Sequence, residues 1–173
     1  MMTSLLPELR TPRLTLRLPE LSDFDRYAEL MGDEDACRWI GGHQPRAGAW
    51  ALQGFAMFSL VETASGRWVG QAGPWFPDGW PGPEVGYVLH RDAWGKGYAT
   101  EAVGACVDYA FEALGWEMVH HCISPGNVAS KKVAGRVGSR MLRPHRLPAP
   151  HDVEIELWGQ SRADWLARRA TPA

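Results

Sequence analysis

The segment between Ala93 and Thr100 combines glycine and lysine at a point where a strand is predicted to end and a helix to begin. Gly95 and Gly97 lie there with Lys96 between them, and no acidic residue interrupts the segment. Glycine lets a backbone approach a ligand closely, and the amides at a helix start have no acceptors within the helix. The helix dipole adds about half a positive charge to that of Lys96. The pattern therefore predicts an anion site that suits a pyrophosphate.

Two other phosphate-binding patterns fit this segment poorly. A P-loop requires GxxxxGK[ST], whereas His90 occupies the first glycine position and Gly97 follows Lys96. A dinucleotide-binding fingerprint requires a third glycine where Thr100 stands, and it opens the first strand–helix–strand unit of its domain. Here a meander of strands is predicted before the segment. A tight strand-to-helix turn without a ligand is the alternative that the two glycines alone leave open.

Alternating and helical patterns of apolar residues place this segment among short elements. Period-two alternation and short apolar runs predict strands at residues 13–18, 59–63, 67–75, 84–89, 118–123 and 153–158. Apolar spacing and capping residues predict helices over 22–32, 45–58, 99–114 and 127–136, with a further helix that begins at Ser161. On the first helix we expect Leu21, Phe24, Ala28 and Met31 to face the core. The order of elements is that of a mixed α/β domain.

Composition and charge limit the classes of protein to which the chain can belong. Its 173 residues are 45% hydrophobic and carry a net charge of -2, which favours one globular domain over residues 1–173. We expect a core over about 9–159 and a C-terminal tail or helix over 160–173. A near-neutral charge argues against nucleic acid and membranes as partners. Because no apolar run is long enough for a membrane span or a signal peptide, we expect a cytoplasmic protein.

The cysteines and histidines form no pattern of metal ligands or disulfides. Cys37, Cys106 and Cys122 are widely separated and include no CxxC pair. His120 and His121 are adjacent in a predicted strand, so their side chains point to opposite faces of the sheet. We therefore expect reduced thiols and no metal.

Three stretches of the chain, within a likeness that runs from Leu9 to Trp158, resemble one superfamily. LRTPRLTLR resembles a first strand, EVGYVLHRDAWGKGYATEAV a pyrophosphate loop with its neighbouring elements, and NVASKKVAGRVG an Asn-x-x-Ser helix. All three are similar to the GNAT superfamily of acyl-CoA-dependent N-acyltransferases, and within it to the RimJ/RimL-like branch. The superfamily pattern [QR]xxGx[GA] falls on Trp94, Gly97 and Ala99, with Trp94 in place of Gln or Arg.

The resemblance implies a fold and a co-substrate. The fold is a mixed α/β domain whose central sheet is largely antiparallel, flanked by helices, and splayed between the strands that end near Leu89 and Ile123. Acetyl-CoA is the implied co-substrate. Its implied binding residues are Val88, Leu89, His90, Trp94, Gly95, Lys96, Gly97, Tyr98, Ala99, Thr100, Asn127, Ser130 and Lys132. Among these, residues 95–100 offer main-chain amides to the pyrophosphate, residues 88–90 pair with the pantetheine, and Lys132 with its neighbours Lys131 and Arg136 meets the 3′-phosphate.

Acyl transfer from a thioester to an amine requires a neutral amine, a donor at the carbonyl oxygen and a proton for the leaving thiolate. A backbone N–H of Val88 or Leu89 can be the donor, and the Ser130 hydroxyl can serve the thiolate. Glu84 can accept the amine proton, and His145 or His151 can do so from the segment before the last strand. Ordinary alternatives remain: an Asn–Ser helix cap, an ion pair at Glu84 and exposed loop histidines.

The function that follows is acetyl-CoA-dependent N-acetylation by direct transfer to a primary amine. The acceptor partner is a small molecule or a protein N-terminus, and a homodimer is compatible with the resemblance. A catalytically silent acyl-CoA-binding sensor is the alternative, because no general base is obvious and Ser139 stands where the branch has an aromatic residue. Residues 140–152 have no counterpart in the branch. A structural domain without CoA is the third reading. Trp39, Trp75 and Trp80 are candidates for the wall of an acceptor pocket.

Overall fold

The helices and strands are given by a computed structural model, which describes residues 7–39, 56–77, 79–149 and 151–170. The strands are β1 Leu9–Arg10, β2 Leu14–Arg17, β3 Phe58–Glu62, β4 Trp68–Trp75, β5 Glu84–Leu89, β6 Met118–Ile123, β7 Arg140–Arg146 and β8 Glu154–Ser161. The helices are α1 Phe24–Gly32, α2 Glu34–Cys37, α3 Tyr98–Glu112, α4 Val128–Arg136 and α5 Arg162–Ala170. Short 3-10 turns cover Leu21–Asp23 and Arg91–Ala93.

The strands form one eight-stranded sheet in the order β1-β2-β3-β4-β5-β6-β8-β7. Neighbouring strands are antiparallel except β5 and β6, which are parallel and share a single register pair, Glu84 with His120. Beyond that pair the two strands diverge. The predicted mixed α/β fold, with a largely antiparallel sheet splayed at this position, is confirmed.

Apolar side chains cover both faces of the sheet. On one face α3 buries Val103, Val107 and Phe111 against the core of the strands, and the β5 residues Val85 and Leu89 belong to the same cluster. On the other face a smaller cluster joins Leu30, Ala36, Trp68 and Val88, from α1, α2, β4 and β5. Successive residues of β5 therefore face different helices, as the pleat requires. No helix in the described ranges is long and apolar enough to cross a membrane.

The face that α1 turns toward the sheet differs from the predicted one. Leu21 is 91% exposed and Phe24 is 62% exposed, whereas Leu30 is fully buried. Asp23 explains the difference, because its carboxylate is buried, bonded by the Arg17 guanidinium at 2.7 Å and by the Ser59 hydroxyl at 2.7 Å. This anchor fixes how the helix enters the sheet. The prediction that Leu21, Phe24 and Ala28 face the core is wrong, since Ala28 is exposed as well.

Several other expectations have clear outcomes. The strands expected at 84–89 and 118–123 are confirmed to the residue, and Asn127 and Ser161 precede α4 and α5 as predicted. The strands β1 and β7 were not predicted. In β7, Arg140–Arg146, most residues are exposed and polar, so no alternation marks it as a strand. The helix expected over 45–58 lies largely outside the described residues, and Phe58 begins β3.

Candidate active site

A cavity of about 740 Å³ lies in the opening between β5 and β6. Because β5 alternates, its lining residues divide between the two faces of the sheet. We call the side lined by Tyr87, Tyr98, Ser130 and Val133 the α4 half. We call the side lined by Met31, Ala36, Gln71, Trp75, Glu84 and Val88 the α1 half. The cavity thus connects a helix N-terminus on one face with the α1–α2 corner on the other.

The glycine segment has the open backbone that its sequence predicts. Gly95 and Gly97 adopt left-handed backbone angles, with φ of +72° and +81°, and Gly97 is the N-cap of α3. Within the described part of the chain, the amides of residues 95–100 have no hydrogen-bond acceptor. Gly95, Gly97, Ala99 and Thr100 line the cavity. A group of unpaired N–H donors at the start of a 15-residue helix suits a diphosphate.

Three hydrogen bonds hold this loop in place. Arg13 donates to the Lys96 carbonyl at 2.8 Å and to Glu101 Oε2 at 2.7 Å, while the Tyr98 hydroxyl donates to Glu62. Because Arg13 precedes β2, these contacts fix the loop to the distant edge of the sheet. The role of Arg13 was not predicted from the sequence, because no local pattern relates residues so far apart in the chain.

Side chains replace strand pairing where β5 and β6 part. The His120 N–H donates to the Pro83 carbonyl at 2.8 Å, which is an ordinary strand contact. Farther on, the Cys122 N–H donates to Glu84 Oε1 at 3.0 Å, and His121 Nδ1 lies 2.7 Å from the Val85 carbonyl oxygen. These side chains satisfy backbone groups that a closed sheet would pair. The opening is therefore built into the fold.

The register of β5 decides which of its amides face the opening. The His90 N–H donates to the Val69 carbonyl at 2.9 Å, and Val88 is paired with Gln71. Since antiparallel pairing alternates, Val88 and His90 direct their N–H groups to β4, and Tyr87 and Leu89 direct theirs to the opening. The expectation that the amides of Val88 and His90 face the pantetheine is therefore corrected in favour of Tyr87 and Leu89.

The α4 half holds a pair of hydroxyl groups. Asn127 Oδ1 accepts the Ser130 N–H at 3.1 Å, so the asparagine side chain caps α4 and the serine hydroxyl takes no part in the cap. That hydroxyl lies 3.0 Å from Tyr87 Oη. Burial raises the pKa of Tyr87 above its ordinary value. Asn127 thus caps α4 and also lines the cavity, so its contact with the pantetheine stays a prediction. Ser130 lies beside a proton donor, Tyr87, that was not predicted from the sequence.

Glu84 lies on the wall of the α1 half. It is buried, and its carboxylate accepts hydrogen bonds from Trp80 Nε1 and from the Cys122 N–H. Burial raises the pKa of Glu84, and these two donors oppose the rise. Within the described ranges Glu84 forms no ion pair, so the surface ion-pair alternative fails. A carboxyl group with a raised pKa on a cavity wall is suited to accept and release a proton.

A family match agrees with this geometry. The family model for the acetyltransferase (GNAT) domain matches residues 13–140, which include the glycine loop, both strands of the opening and α4. The chain belongs to the GNAT acetyltransferase family. The match thus includes the glycine loop and both strands that border the cavity.

Curated relatives and solved GNAT structures are similar over much of the chain. YkkB of Bacillus subtilis (strain 168), an uncharacterised protein, is 31% identical over 65% of this chain, and the match spans 64% of YkkB, less than two thirds of its length. The uncharacterised N-acetyltransferase p20 of Bacillus licheniformis is 32% identical over 72% of this chain and 78% of its own. A solved acetyltransferase from Agrobacterium tumefaciens str. C58 has a TM-score of 0.80 with 27% identity, covering 94% of this chain and 98% of that one.

A more distant structure has the same fold. The aminoglycoside acetyltransferase AAC(6')-Ib, solved with ribostamycin and coenzyme A, has a TM-score of 0.75 at 21% identity. The alignment covers 93% of this chain and 99% of that chain. At this identity the likeness concerns the GNAT fold alone.

The remaining candidates fall into two groups in this GNAT chain. Trp94, Lys132, Arg136, His151 and the three tryptophans expected in an acceptor pocket, Trp39, Trp75 and Trp80, line the cavity. Lys96, His90 and His145 are not among its described lining residues. His145 lies on β7 with its Nδ1 2.9 Å from the Arg143 guanidinium. Lys131 is bonded to Glu156 at 2.7 Å, so it is occupied within the protein.

A buried chain of polar groups supports the GNAT opening from behind. Gln160 Nε2 donates to Ser139 Oγ at 3.0 Å, and Ser139 Oγ lies 3.0 Å from His121 Nε2. Because the Val85 carbonyl only accepts, His121 Nδ1 carries the proton and Nε2 accepts from Ser139. The imidazole is neutral, and burial lowers its pKa to about 4. Ser139, which departs from the branch pattern, thus belongs to the support of the cleft.

This arrangement predicts a loss of stability in mild acid. The pKa of His121 is about 4 when folded and 6.5 in its ordinary state, so the unfolded chain binds more protons between these values. Stability from this group is complete above pH 6.5 and is lost as the pH falls toward 4, by about 3 kcal/mol. Chemical unfolding at pH 7 and pH 4.5 will show the loss in the wild type and a smaller one in His121→Asn. A His145→Asn control should match the wild type, and equal losses in all three proteins would contradict the assignment.

Proposed function

We propose that the protein is an acetyl-CoA-dependent N-acetyltransferase of the RimJ/RimL-like branch, which transfers an acetyl group directly to a primary amine of a small molecule or a protein N-terminus. The observation that carries the proposal is the set of unpaired amides at residues 95–100, at one end of a cavity that passes between β5 and β6. Ser130 and Glu84 line opposite halves of that cavity.

The α4 half is assigned to acetyl-CoA. The amides of residues 95–100 are the proposed donors to its pyrophosphate, and Lys132 and Arg136, which line the cavity, are cations for its 3′-phosphate. The open N–H groups of Tyr87 and Leu89 are proposed to bind the pantetheine and the thioester carbonyl. Each of these main-chain N–H donors either has no hydrogen-bond acceptor in the described part of the chain or faces the opening.

The acid–base steps use groups on both sides of the opening. Glu84 accepts a proton from the ammonium form of the acceptor, through a water molecule, so that the neutral nitrogen can attack the thioester carbon. A C–N bond forms, and the C–S bond breaks as the electron pair leaves with the sulfur. Ser130 donates its hydroxyl proton to the thiolate and takes one from Tyr87, which lies 3.0 Å away. The nitrogen loses a second proton as the amide forms, and this proton returns to Tyr87 through solvent.

The cysteines support direct transfer over an acetyl-cysteine intermediate. A thiol attacks a thioester as the thiolate, so a nucleophilic cysteine needs a low pKa. Burial raises the pKa of both Cys106 and Cys122. Cys106 is fully buried on the core side of α3. Cys122 lies beside the Glu84 carboxyl, which opposes ionisation of the thiol further.

Replacing Ser130 with alanine tests the proposal. We expect kcat for release of CoA thiol, measured with a panel of primary amines, to fall by about 10- to 100-fold, because a general acid contributes on the order of 10²-fold or more. The dissociation constant for acetyl-CoA, measured by calorimetry, should stay within about twofold, since the hydroxyl is bonded to Tyr87 rather than to the loop.

One control variant and two further outcomes make the result decisive. Ser22→Ala removes an exposed hydroxyl on the 3-10 turn before α1 and should leave both quantities unchanged. Wild-type protein that binds acetyl-CoA but releases no thiol with any amine would support the silent sensor instead. Protein that produces no heat with acetyl-CoA would remove the CoA site itself.

A further inference from the structure

The α1 half contains a buried amide group without a partner. Gln71 is 6% exposed and lines the cavity, and its Nε2 has no hydrogen-bond partner among the described residues. It is paired with Val88, so its side chain lies on the sheet face that α1 and α2 cover. A buried N–H donor without an acceptor destabilises a fold unless a ligand supplies the acceptor. Gln71 is therefore placed to bind an oxygen atom of a molecule in this half.

The walls around Gln71 are aromatic and apolar. Trp39, Trp75 and Trp80 line the cavity together with Met31. The Trp39 ring reaches across to the loop before α4, where a Cβ at Gly126 would lie 3.2 Å from it. Flat rings and a thioether favour the body of an apolar or aromatic molecule over a heavily hydrated one.

The carboxylates of the α1 half are already occupied. Asp35 accepts from Arg38 at 2.6 Å and from Arg91 at 2.9 Å. Glu84 accepts from Trp80 and from the Cys122 N–H. Asp35 and Glu84 are the acidic side chains among the described lining residues. A polycation such as an aminoglycoside would need several carboxylates free to pair with its ammonium groups, and these two are engaged.

Resting on the proposed N-acetyltransferase function, we propose that the α1 half is the acceptor subsite for an amine with one positive group on an aromatic or apolar body. In this subsite Gln71 is a specificity residue that donates a hydrogen bond to an oxygen of the acceptor. The site thereby discriminates against polyamines and aminoglycosides. A site whose polar group binds an oxygen atom rejects an analogue that lacks this oxygen, since the polar group would then be buried without a partner.

The experiment compares amines that differ in oxygen and charge. Phenylalaninamide and tyramine carry an oxygen near or far from the amine, phenethylamine carries none, and spermidine and ribostamycin are polycations. We expect the wild type to acetylate at least one oxygen-bearing aromatic amine with a kcat/KM about tenfold above phenethylamine and above both polycations. Gln71→Met should abolish that tenfold preference, and the thermal unfolding midpoint of the free protein should be equal or higher.

The midpoint separates recognition from a structural role. A glutamine that held the fold together would lower the midpoint when replaced, whereas removal of an unpaired buried amide does not. The inference would be overturned if Gln71→Met kept the preference, if it unfolded at a lower temperature than the wild type, or if spermidine or ribostamycin were the better substrate of the wild type. In each of these cases, acetyl-CoA binding and acetylation of some amine would still support the proposed function. Wild-type protein that binds no acetyl-CoA by calorimetry would overturn both.

Discussion

Replacing Gly97 with valine should weaken acetyl-CoA binding by at least about tenfold while the protein stays folded. Gly97 has a φ of +81°, which costs a residue with a side chain about 1–2 kcal/mol. An added Cβ would also lie 3.3 Å from the Arg13 guanidinium, which holds the loop through the Lys96 carbonyl. The valine variant should therefore move the amides of residues 95–100. Calorimetric titration with acetyl-CoA measures the effect.

Gly115 provides a matched control for this experiment. It follows the other end of α3 with a φ of +67°, and a Cβ there would meet nothing within 4 Å. It is not among the described residues that line the cavity. Gly115→Val therefore carries a similar backbone cost without touching the loop, and it should lower thermal stability while binding acetyl-CoA like the wild type. Equal affinities in the two variants would refute the assignment of the loop as the CoA site.

Glu84→Gln should lower kcat by at least about 100-fold, because a general base contributes 10²–10⁴-fold. Since burial raises the pKa of Glu84, the wild-type rate should increase as the pH rises through that raised value and the carboxylate forms. The glutamine variant should lose this limb and recover part of its rate at alkaline pH, where free amine is abundant. Steady-state rates from pH 5 to 9 test both expectations.

Trp80 distinguishes this role from a purely structural one. Its indole N–H donates to the Glu84 carboxylate, and this hydrogen bond lowers the pKa of Glu84. Trp80→Phe should therefore move the acid limb of kcat to higher pH, which a structural role would not do. Glu154→Gln, on the exposed start of β8, is the control and should leave the profile unchanged. A wild-type limb in Trp80→Phe would exclude Glu84 as the base.

The glycine loop and its neighbours were predictable because their signals are local. The glycine turn before α3, Asn127 before α4 and the apolar runs of β5 and β6 each depend on residues a few positions apart. The largely antiparallel sheet and its splay followed from the family resemblance rather than from any local pattern. The elements around the candidate site that a short window contains were thus correctly predicted, while their roles stay predictions.

The parts that were missed depend on contacts between distant segments. Tyr87 on β5 contacts Ser130 on α4, and Arg13 binds the Lys96 carbonyl, 83 residues further along the chain. The buried face of α1 was predicted wrongly for the same reason. The entry into this helix is fixed by the contacts of Asp23 with Arg17 and Ser59, which helical periodicity does not reveal. To predict which amides of β5 face the opening, one needs the register of β5 against β4, and apolar alternation alone does not give that register.

The way β5 and β6 are held apart affects how the substrates meet the protein. His121 and Glu84 occupy hydrogen-bonding positions that a neighbouring strand would otherwise fill. The gap therefore exists before any ligand arrives, and its formation belongs to the free energy of folding. An incoming thioester does not have to unzip a sheet, so its affinity is not reduced by the cost of creating its own slot.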